Sequence, residues 1–414
     1  MDVIVPPIPE AYDEYRATLQ AFISAHKPAL TWKQRTGVRV PDSAADIALL
    51  RRYVRDLHEA GYRLDRFSVS SERGDPHEQR ILEQELGAAG VPYILGNPLV
   101  AGALRYFGTD EQRAAYFPPM ARGEHIWTQL FSEPDAGSDL TSLQTRATMV
   151  DDEYVVVGQK VWSTWAQWAD YGYLLARTEP VEGAGGITAF ILDMRSPGVD
   201  VRPLREMTGT TDFNEVFFDE VRIPAANIIG APGEGWRVAG ASLAEERTGV
   251  GSAGGGGGND PGQRLVRLAR RTRRQGRPAI EDGAVRQQIG DLAARSRIQR
   301  HLGQRIATKA MRGQITPADA PIAKIWFSEL NLQTTEAALA LLGPRSMAVE
   351  GDELAEEDGR WQDAFLYARA WTIAGGSNEI MRNLIAERGL GLPREPRGQS
   401  MSTSTSPSPS PSPS

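Results

Sequence analysis

The spacing of apolar residues changes twice along this chain of 414 residues. In the first part a capping sequence, Pro41-Asp42-Ser43, precedes apolar residues at helical spacing, and similar runs cover 77–89 and 110–121. From about Ile126 the period becomes strand-like, in EYVVVGQKVW, YGYLLART, ITAFILDM and NEVFFDEVRIP. From Gly235 it is helical again. The order helices, sheet, helices predicts the α+β class.

The changes in apolar spacing divide the chain into four predicted segments. We predict an N-terminal α-helical domain at 1–124, a barrel-like middle β domain at 125–233, a C-terminal helical bundle at 234–397 and a disordered tail at 398–414. The tail sequence STSTSPSPSPSPS has no apolar residue to bury. The segment GSAGGGGGND at 251–260 predicts a flexible loop, because glycine loses much backbone entropy on ordering. A phosphate-binding loop would need Gly-Lys-Ser or Gly-Lys-Thr after it, which this sequence lacks.

Charge and composition exclude several functions. The chain has 46 basic and 53 acidic residues, a net charge of -7, which offers no broad positive surface for nucleic acid or an anionic membrane. It has no cysteine and only five scattered histidines, so we expect no metal site, and any redox chemistry needs a bound cofactor. The N-terminus lacks a basic and apolar leader, and no stretch reaches the roughly 20 apolar residues of a membrane helix. We predict a cytoplasmic protein.

Three short segments carry chemical signals. Residues 127–139, WTQLFSEPDAGSD, form a strand that ends in hydroxyl, proline and glycine residues, suited to presenting backbone N–H groups to a polar ring. In GQKVWSTWA, Trp162 and Thr164 are two apart, so on a strand both side chains point to one face. In AGGSNEIMRNLIAER, a loop precedes a helix whose free N–H groups suit a carbonyl oxygen or an anion. Alone, the first segment could be a generic turn, the second an ordinary sheet-packing pair and the third only a helix cap.

Together and in this order, the three segments resemble the acyl-CoA dehydrogenase family over about residues 5–395. The resemblance implies an FAD enzyme that removes the α-proton and the β-hydride of an acyl-CoA thioester, leaving a trans-2-enoyl-CoA. It implies that electrons leave to an electron-transfer flavoprotein and that the chain forms a homo- or hetero-oligomer, a dimer or a tetramer.

The resemblance also implies site residues. Trp162 would cover the isoalloxazine and Thr164 would donate to flavin N5, while Ser138, Arg247 and Gly375 would contact the substrate. The positions that match FAD contacts of the family are Gln129, Leu130, Phe131, Ser132, Ser138, Trp162, Thr164, Ser377 and Glu379.

The catalytic base requires a separate argument. An α-proton beside a thioester is weakly acidic, so its removal needs a desolvated carboxylate and a hydrogen-bonded carbonyl oxygen. Many family members keep this Glu in the C-terminal loop, but Gly375 stands at the matching position, where only its backbone N–H can help. Branched-chain and isovaleryl-type members use a Glu before an Arg on the first C-terminal helix, and Glu246 before Arg247 matches it. We predict Glu246 as the base, and Glu245 would face about 100° away.

Several alternatives stay open from the sequence. Glu246 and Arg247 could be a solvated helix pair, since charged side chains are mostly exposed. The chain could be a non-catalytic subunit of a heteromeric dehydrogenase, or an oxidase or carrier-acyl dehydrogenase variant. The arginines of 270–277 could meet the phosphates of CoA or FAD, or form a solvated surface.

Overall fold

The structure is a computed structural model. It describes residues 8–28, 41, 43–69, 74–93, 95–181, 183–252 and 261–394, and the side chains of 244–252, 261, 310 and 311 lie outside the description. Of the glycine-rich loop predicted at 251–260, residues 251 and 252 end a helix, so the prediction is wrong there, and 253–260 lie outside the described residues. The predicted tail at 398–414 also lies outside them.

The N-terminal part is helical, as the apolar spacing predicts. Helix α2 begins after Ser43, whose hydroxyl accepts a hydrogen bond from the Asp46 N–H at 3.2 Å, and this confirms the predicted cap. The helices are α1 (Asp13–His26), α2 (Ala44–Glu59), α3 (Pro76–Ala89), α4 (Pro98–Phe107) and α5 (Asp110–Ala121). Helix α4 was not predicted as a separate element, because Leu99 to Leu104 are all buried and leave no polar face to set a period.

The middle part is one eight-stranded sheet. Its strands are β1 (Trp127–Leu130), β2 (Arg146–Val150), β3 (Glu153–Lys160), β4 (Tyr171–Arg177), β5 (Ile187–Asp193), β6 (Val199–Pro203), β7 (Asn214–Pro224) and β8 (Ile228–Ile229). The strand order is β6-β7-β3-β2-β4-β5-β8, and β1 pairs in parallel with β4 so that Gln129 lies opposite Tyr173. Strands β4 and β5 are buried almost throughout, which explains their continuous apolar sequences.

The C-terminal part is a helical bundle around α9. Its helices are α6 (Gly235–Ser252), α7 (Pro261–Arg271), α8 (Gly283–Met311), α9 (Asp319–Leu342), α10 (Arg360–Ile373) and α11 (Asn378–Leu384), with a hairpin of β9 (Arg273–Arg274) and β10 (Arg277–Pro278). Helix α9 packs against α6, α8, α10 and α11. Helix α6 also packs on α4 and β5, so it joins all three parts. The α+β class with helical, sheet and helical parts is confirmed, while the exact domain limits stay predictions.

The arginine-rich segment divides into two environments. Arg264 and Arg271 each pair with Glu357, at 3.2 and 3.0 Å, and so help to fix α7. Arg273, Arg274 and Arg277 are exposed on the hairpin.

The described part of the chain offers neither a membrane-spanning helix nor a cluster of metal ligands. None of its helices is both long and apolar enough to cross a bilayer. Within the same ranges, no group of three or more histidine, aspartate or glutamate side chains is arranged to hold a metal ion.

Candidate active site

The turn after β3 carries the second sequence motif. The prediction that Trp162 and Thr164 lie on a strand is wrong, because β3 ends at Lys160 and Trp162 has a φ of 60°. Large side chains rarely adopt this left-handed backbone conformation. Even so, Trp162 is 60% exposed and Thr164 is exposed, whereas Ser163 between them is buried. The turn therefore presents an aromatic ring and a hydroxyl to solvent.

The first motif lies directly beside this turn. Leu130 and Phe131 are buried, and Gln129 and Ser132 are half-buried, so this segment offers mainly its backbone. The Val161 N–H donates to the Ser132 carbonyl at 2.9 Å. The Thr128 hydroxyl donates to the Thr164 carbonyl at 2.8 Å. The structure thus brings together the first two predicted groups of site residues.

A buried ion pair locks the two motifs to each other. The Lys160 ammonium donates to Glu133 Oε1 at 2.8 Å and to the Phe131 carbonyl at 3.0 Å. The Glu133 carboxylate also accepts the N–H groups of Gln144 and Thr145, at 2.6 and 2.9 Å. Lys160 is fully buried and Glu133 is 8% exposed. This pair therefore sets where the backbone of 131–133 lies relative to the turn.

The pair of Lys160 and Glu133 was not predicted, although the sequence holds a signal for it. Tyr154, Val156 and Lys160 lie at even positions of β3, and all three are buried on one face of the sheet. A lysine at such a position requires a partner, since an isolated buried charge is costly. The partner, Glu133, lies 27 residues earlier, and only the fold brings it near.

Burial and pairing have opposite effects on the Glu133 carboxyl. Burial by itself would raise its pKa, but the charge of Lys160 and the hydrogen bonds from Lys160, Thr145 and Gln144 outweigh burial and hold the pKa below its usual value. Burial lowers the pKa of Lys160 to about 8, against the opposing attraction of Glu133.

The lowered pKa of Glu133 predicts an acid-dependent loss of stability. Because the pKa is lower in the folded chain, ionised Glu133 stabilises the fold above its unfolded pKa, about 4.3, and this contribution is lost as the pH falls through the folded pKa. Glu133→Gln should therefore be less stable than the natural chain at pH 7, and the difference should shrink below about pH 4. Denaturant unfolding from pH 7 to pH 3 measures this difference. A difference that stays constant over that range would contradict the prediction.

The third predicted group lies in the loop before α11. Gly375 and Gly376 have φ values of 67° and 94°, so glycine suits both positions. The Ser377 hydroxyl accepts the Ile380 N–H at 3.3 Å and caps α11. Glu379 is exposed on α11. Ser377 therefore caps this helix, and Ser377 and Glu379 stay predicted FAD contacts.

This loop is tied to the centre of the bundle by Asn378. Its Oδ1 accepts from the Lys324 ammonium at 2.9 Å and from the Ser328 hydroxyl at 3.0 Å, and both partners are buried on α9. Helix α9 also packs along α6, the helix that contains Glu246. The Gly375 loop and α6 are therefore both held by contacts with α9.

The remaining predicted residues have different environments. Ser138 is exposed in the segment between β1 and β2. Glu246 and Arg247 lie on α6, and their side chains are outside the description. One turn earlier, Ser242 is fully buried and its hydroxyl lies 3.4 Å from the Tyr173 hydroxyl. This contact joins α6 to β4 opposite Gln129.

Comparison with known proteins identifies the family. Models of the acyl-CoA dehydrogenase N-terminal, middle and C-terminal domains match residues 9–124, 128–221 and 233–390. The chain belongs to the acyl-CoA dehydrogenase family. Membership makes it an oxidoreductase of a flavin-dependent family, and it confirms the resemblance of the three motifs.

Individual relatives agree with this assignment. The chain is 35% identical to the acyl-CoA dehydrogenase IpdE1 of Mycobacterium tuberculosis, over 94% of this chain and 91% of that protein. It is 38% identical to the acyl-CoA dehydrogenase FadE34 of the same organism, over 77% of this chain and 43% of the relative. Among solved structures, the Tcur3481-Tcur3483 steroid ACAD superposes with a TM-score of 0.80 at 26% identity, over 95% of this chain and all of that one.

The residues present fit the FAD that this family uses. An isoalloxazine ring requires a flat apolar surface and polar donors at its edge, and the exposed Trp162 ring and Thr164 hydroxyl offer both on one turn. The half-buried segment from Gln129 to Ser132 adds backbone polar groups beside that turn.

Proposed function

We propose that this acyl-CoA dehydrogenase binds FAD against the Trp162 turn and oxidises an acyl-CoA thioester to the trans-2-enoyl-CoA with Glu246 as the base. When bound, FAD supplies the acceptor for the β-hydride. The observation that carries the proposal is the joining of segment 129–133 to the Trp162 turn by the buried pair of Glu133 and Lys160. This pair holds two flavin-facing segments in a fixed relation before any ligand binds.

The buried face of α6 supports Glu246 rather than Glu245 as the base. Gly235, Val238, Ala239 and Ser242 are buried and form one stripe along this helix. At about 100° a residue, position 246 lies about 30° from the centre of the stripe and position 245 about 70°. A carboxylate that continues this stripe would be shielded from water, and a desolvated carboxylate is a stronger base than a solvated one.

The Gly375 loop supports a role in holding the thioester. A glycine cannot accept a proton, but with a φ of 67° its N–H can face a carbonyl oxygen in a direction that other residues adopt only with strain. A hydrogen bond there stabilises the negative charge that develops on the oxygen as Glu246 takes the α-proton. Ser138 and Arg247 are proposed contacts of the CoA moiety.

A bulky, ring-bearing acyl group is the substrate class that we propose. The loop has Ala374 and Gly375 in sequence, so no large side chain occupies these two positions. The likeness to a protein named as a steroid ACAD supports a substrate of this size. The base on α6, which is typical of branched-chain members, supports it as well.

The electron acceptor and the assembly belong to the same proposal. We propose an electron-transfer flavoprotein as acceptor, action in the cytoplasm and a dimer or tetramer formed with itself or with a second family member. The likeness to the Tcur3481-Tcur3483 protein, whose name joins two designations, supports the mixed arrangement.

An anaerobic titration tests the proposal. The purified chain should carry FAD, and ring-bearing acyl-CoAs should bleach the oxidised-flavin absorbance more completely than straight-chain acyl-CoAs of equal carbon number. Bleaching by straight chains alone would contradict the substrate class. A bound flavin that no thioester reduces, with or without a second family member, would contradict the dehydrogenation itself.

A further inference from the structure

The turn that bears Trp162 is strained and needs an external support. Trp162 and Trp165 have φ values of 60° and 56°, a conformation that side chains of this size rarely adopt. Such conformations persist only where the surrounding structure imposes them. The support must therefore come from residues that contact 162–165.

We propose that Asn214 is a positioning residue that holds this turn in the form that receives FAD, an inference that rests on the proposed function. Asn214 is the first residue of β7 and is fully buried. Its carbonyl accepts the Ser163 N–H at 3.1 Å, and its side-chain amide donates to the Ser163 carbonyl at 2.9 Å. Ser163 is thus held on both sides of its backbone by one residue.

A second set of contacts extends the same support. The Asn214 amide also donates to Gln167 Oε1 at 2.6 Å, and Gln167 donates to the Thr211 carbonyl at 2.7 Å. The Trp165 N–H donates to the Asp212 carbonyl at 2.8 Å. Residues 211–214 therefore hold 163–167 from both ends, and the Asn214 amide joins the two sides.

Burial and chemistry decide which role Asn214 has. A fully buried side chain cannot touch a flavin that lies on the exposed side of Trp162 and Thr164. Its two amide N–H groups match the two oxygens that it contacts, and neither Asp nor Leu offers two donors at this position. Its own Oδ1 and the Ser163 hydroxyl are both buried without a hydrogen-bond partner. A buried asparagine that leaves its own Oδ1 unpaired carries a stability cost, so stability alone explains this residue poorly.

The test compares Asn214→Ala with Val216→Ala. Val216 is a fully buried core residue on the same strand, and its side chain makes no hydrogen bond to the turn, so its truncation destabilises the same sheet but keeps the hydrogen bonds of Asn214. For each variant the melting temperature, the FAD dissociation constant of the flavin-free protein and the visible absorption bands of bound flavin are measured. Both variants should melt at lower temperature. Only Asn214→Ala should weaken FAD binding, by about tenfold or more. It should also shift the absorption bands of bound flavin, because Trp162 and Thr164 would no longer lie at the same place beside the isoalloxazine ring.

Each outcome has a definite meaning. If Asn214→Ala and Val216→Ala bind FAD equally well and with the same spectrum, the inference is wrong while the proposed function stands. If the natural chain itself does not bind FAD, both are wrong. If Asn214→Ala does not fold, Gln167→Ala replaces it, because Gln167 is only half-buried and its loss removes one amide partner. That variant should also weaken FAD binding relative to Val216→Ala, and equal binding would overturn the inference.

Discussion

Glu246→Gln should keep its FAD and lose roughly 10²- to 10⁴-fold in the rate of flavin reduction by an acyl-CoA, the range that a positioned general base contributes. Glutamine has nearly the same shape as glutamate but cannot take the α-proton. Because Gly375 offers no carboxylate in the C-terminal loop, no second base stands at the position that many family members use. Anaerobic stopped-flow reduction at saturating substrate separates this loss from any change in binding.

Glu245→Gln is the matched control for this prediction. It removes the same charge from the neighbouring position on α6, which lies farther from the centre of the buried stripe. We expect it to change the reduction rate by less than about tenfold. If Glu245→Gln shows the large loss and Glu246→Gln does not, the base is Glu245. If neither shows it, the proton leaves to a residue outside α6 or to a second subunit.

The spacing of apolar residues predicted most helices and strands, because the buried side chains of these elements recur at regular intervals. In α2 and α3, apolar residues on one face pack into the core, so the helical repeat was visible. In α4 the six consecutive residues Leu99 to Leu104 are all buried, so no such repeat was visible there. The motifs predicted the family since their residue types are unusual in combination.

The local geometry of the site depends on residues far apart in the sequence, and for that reason it was not predictable. Alternation continues through Trp162 and Thr164, which made the turn look like an extension of β3. The positive φ of Trp162 is imposed by contacts with 211–214, about fifty residues later. Likewise, Lys160 ends β3 and Glu133 lies in the segment after β1, so only the folded sheet brings this pair together.

Lys160→Met should cost about 3 to 5 kcal/mol of unfolding free energy, the usual effect of removing one partner of a buried ion pair. Methionine fills most of the volume, so the loss is mainly electrostatic. The Glu133 carboxylate, 8% exposed, would keep its two backbone N–H donors but lose its countercharge, and the Phe131 carbonyl would lose its donor. Denaturant unfolding of both forms at pH 7 measures the difference.

Arg222→Met is the matched control, because it breaks an ion pair that involves the same strand. Arg222 pairs with Glu153 at 3.2 Å, but the two side chains are 60% and 40% exposed. Exposed pairs contribute less than about 1 kcal/mol, so this variant should be nearly as stable as the natural chain. If both variants lose the same free energy of unfolding, the buried pair of Lys160 contributes no more to stability than the exposed pair of Arg222. A large loss confined to Lys160→Met would instead show that the buried Glu133 carboxylate cannot be left without its countercharge. Weaker FAD binding in the same variant would show that Lys160 also holds segment 131–133 against the Trp162 turn, which is a physical reason to keep a lysine inside this core.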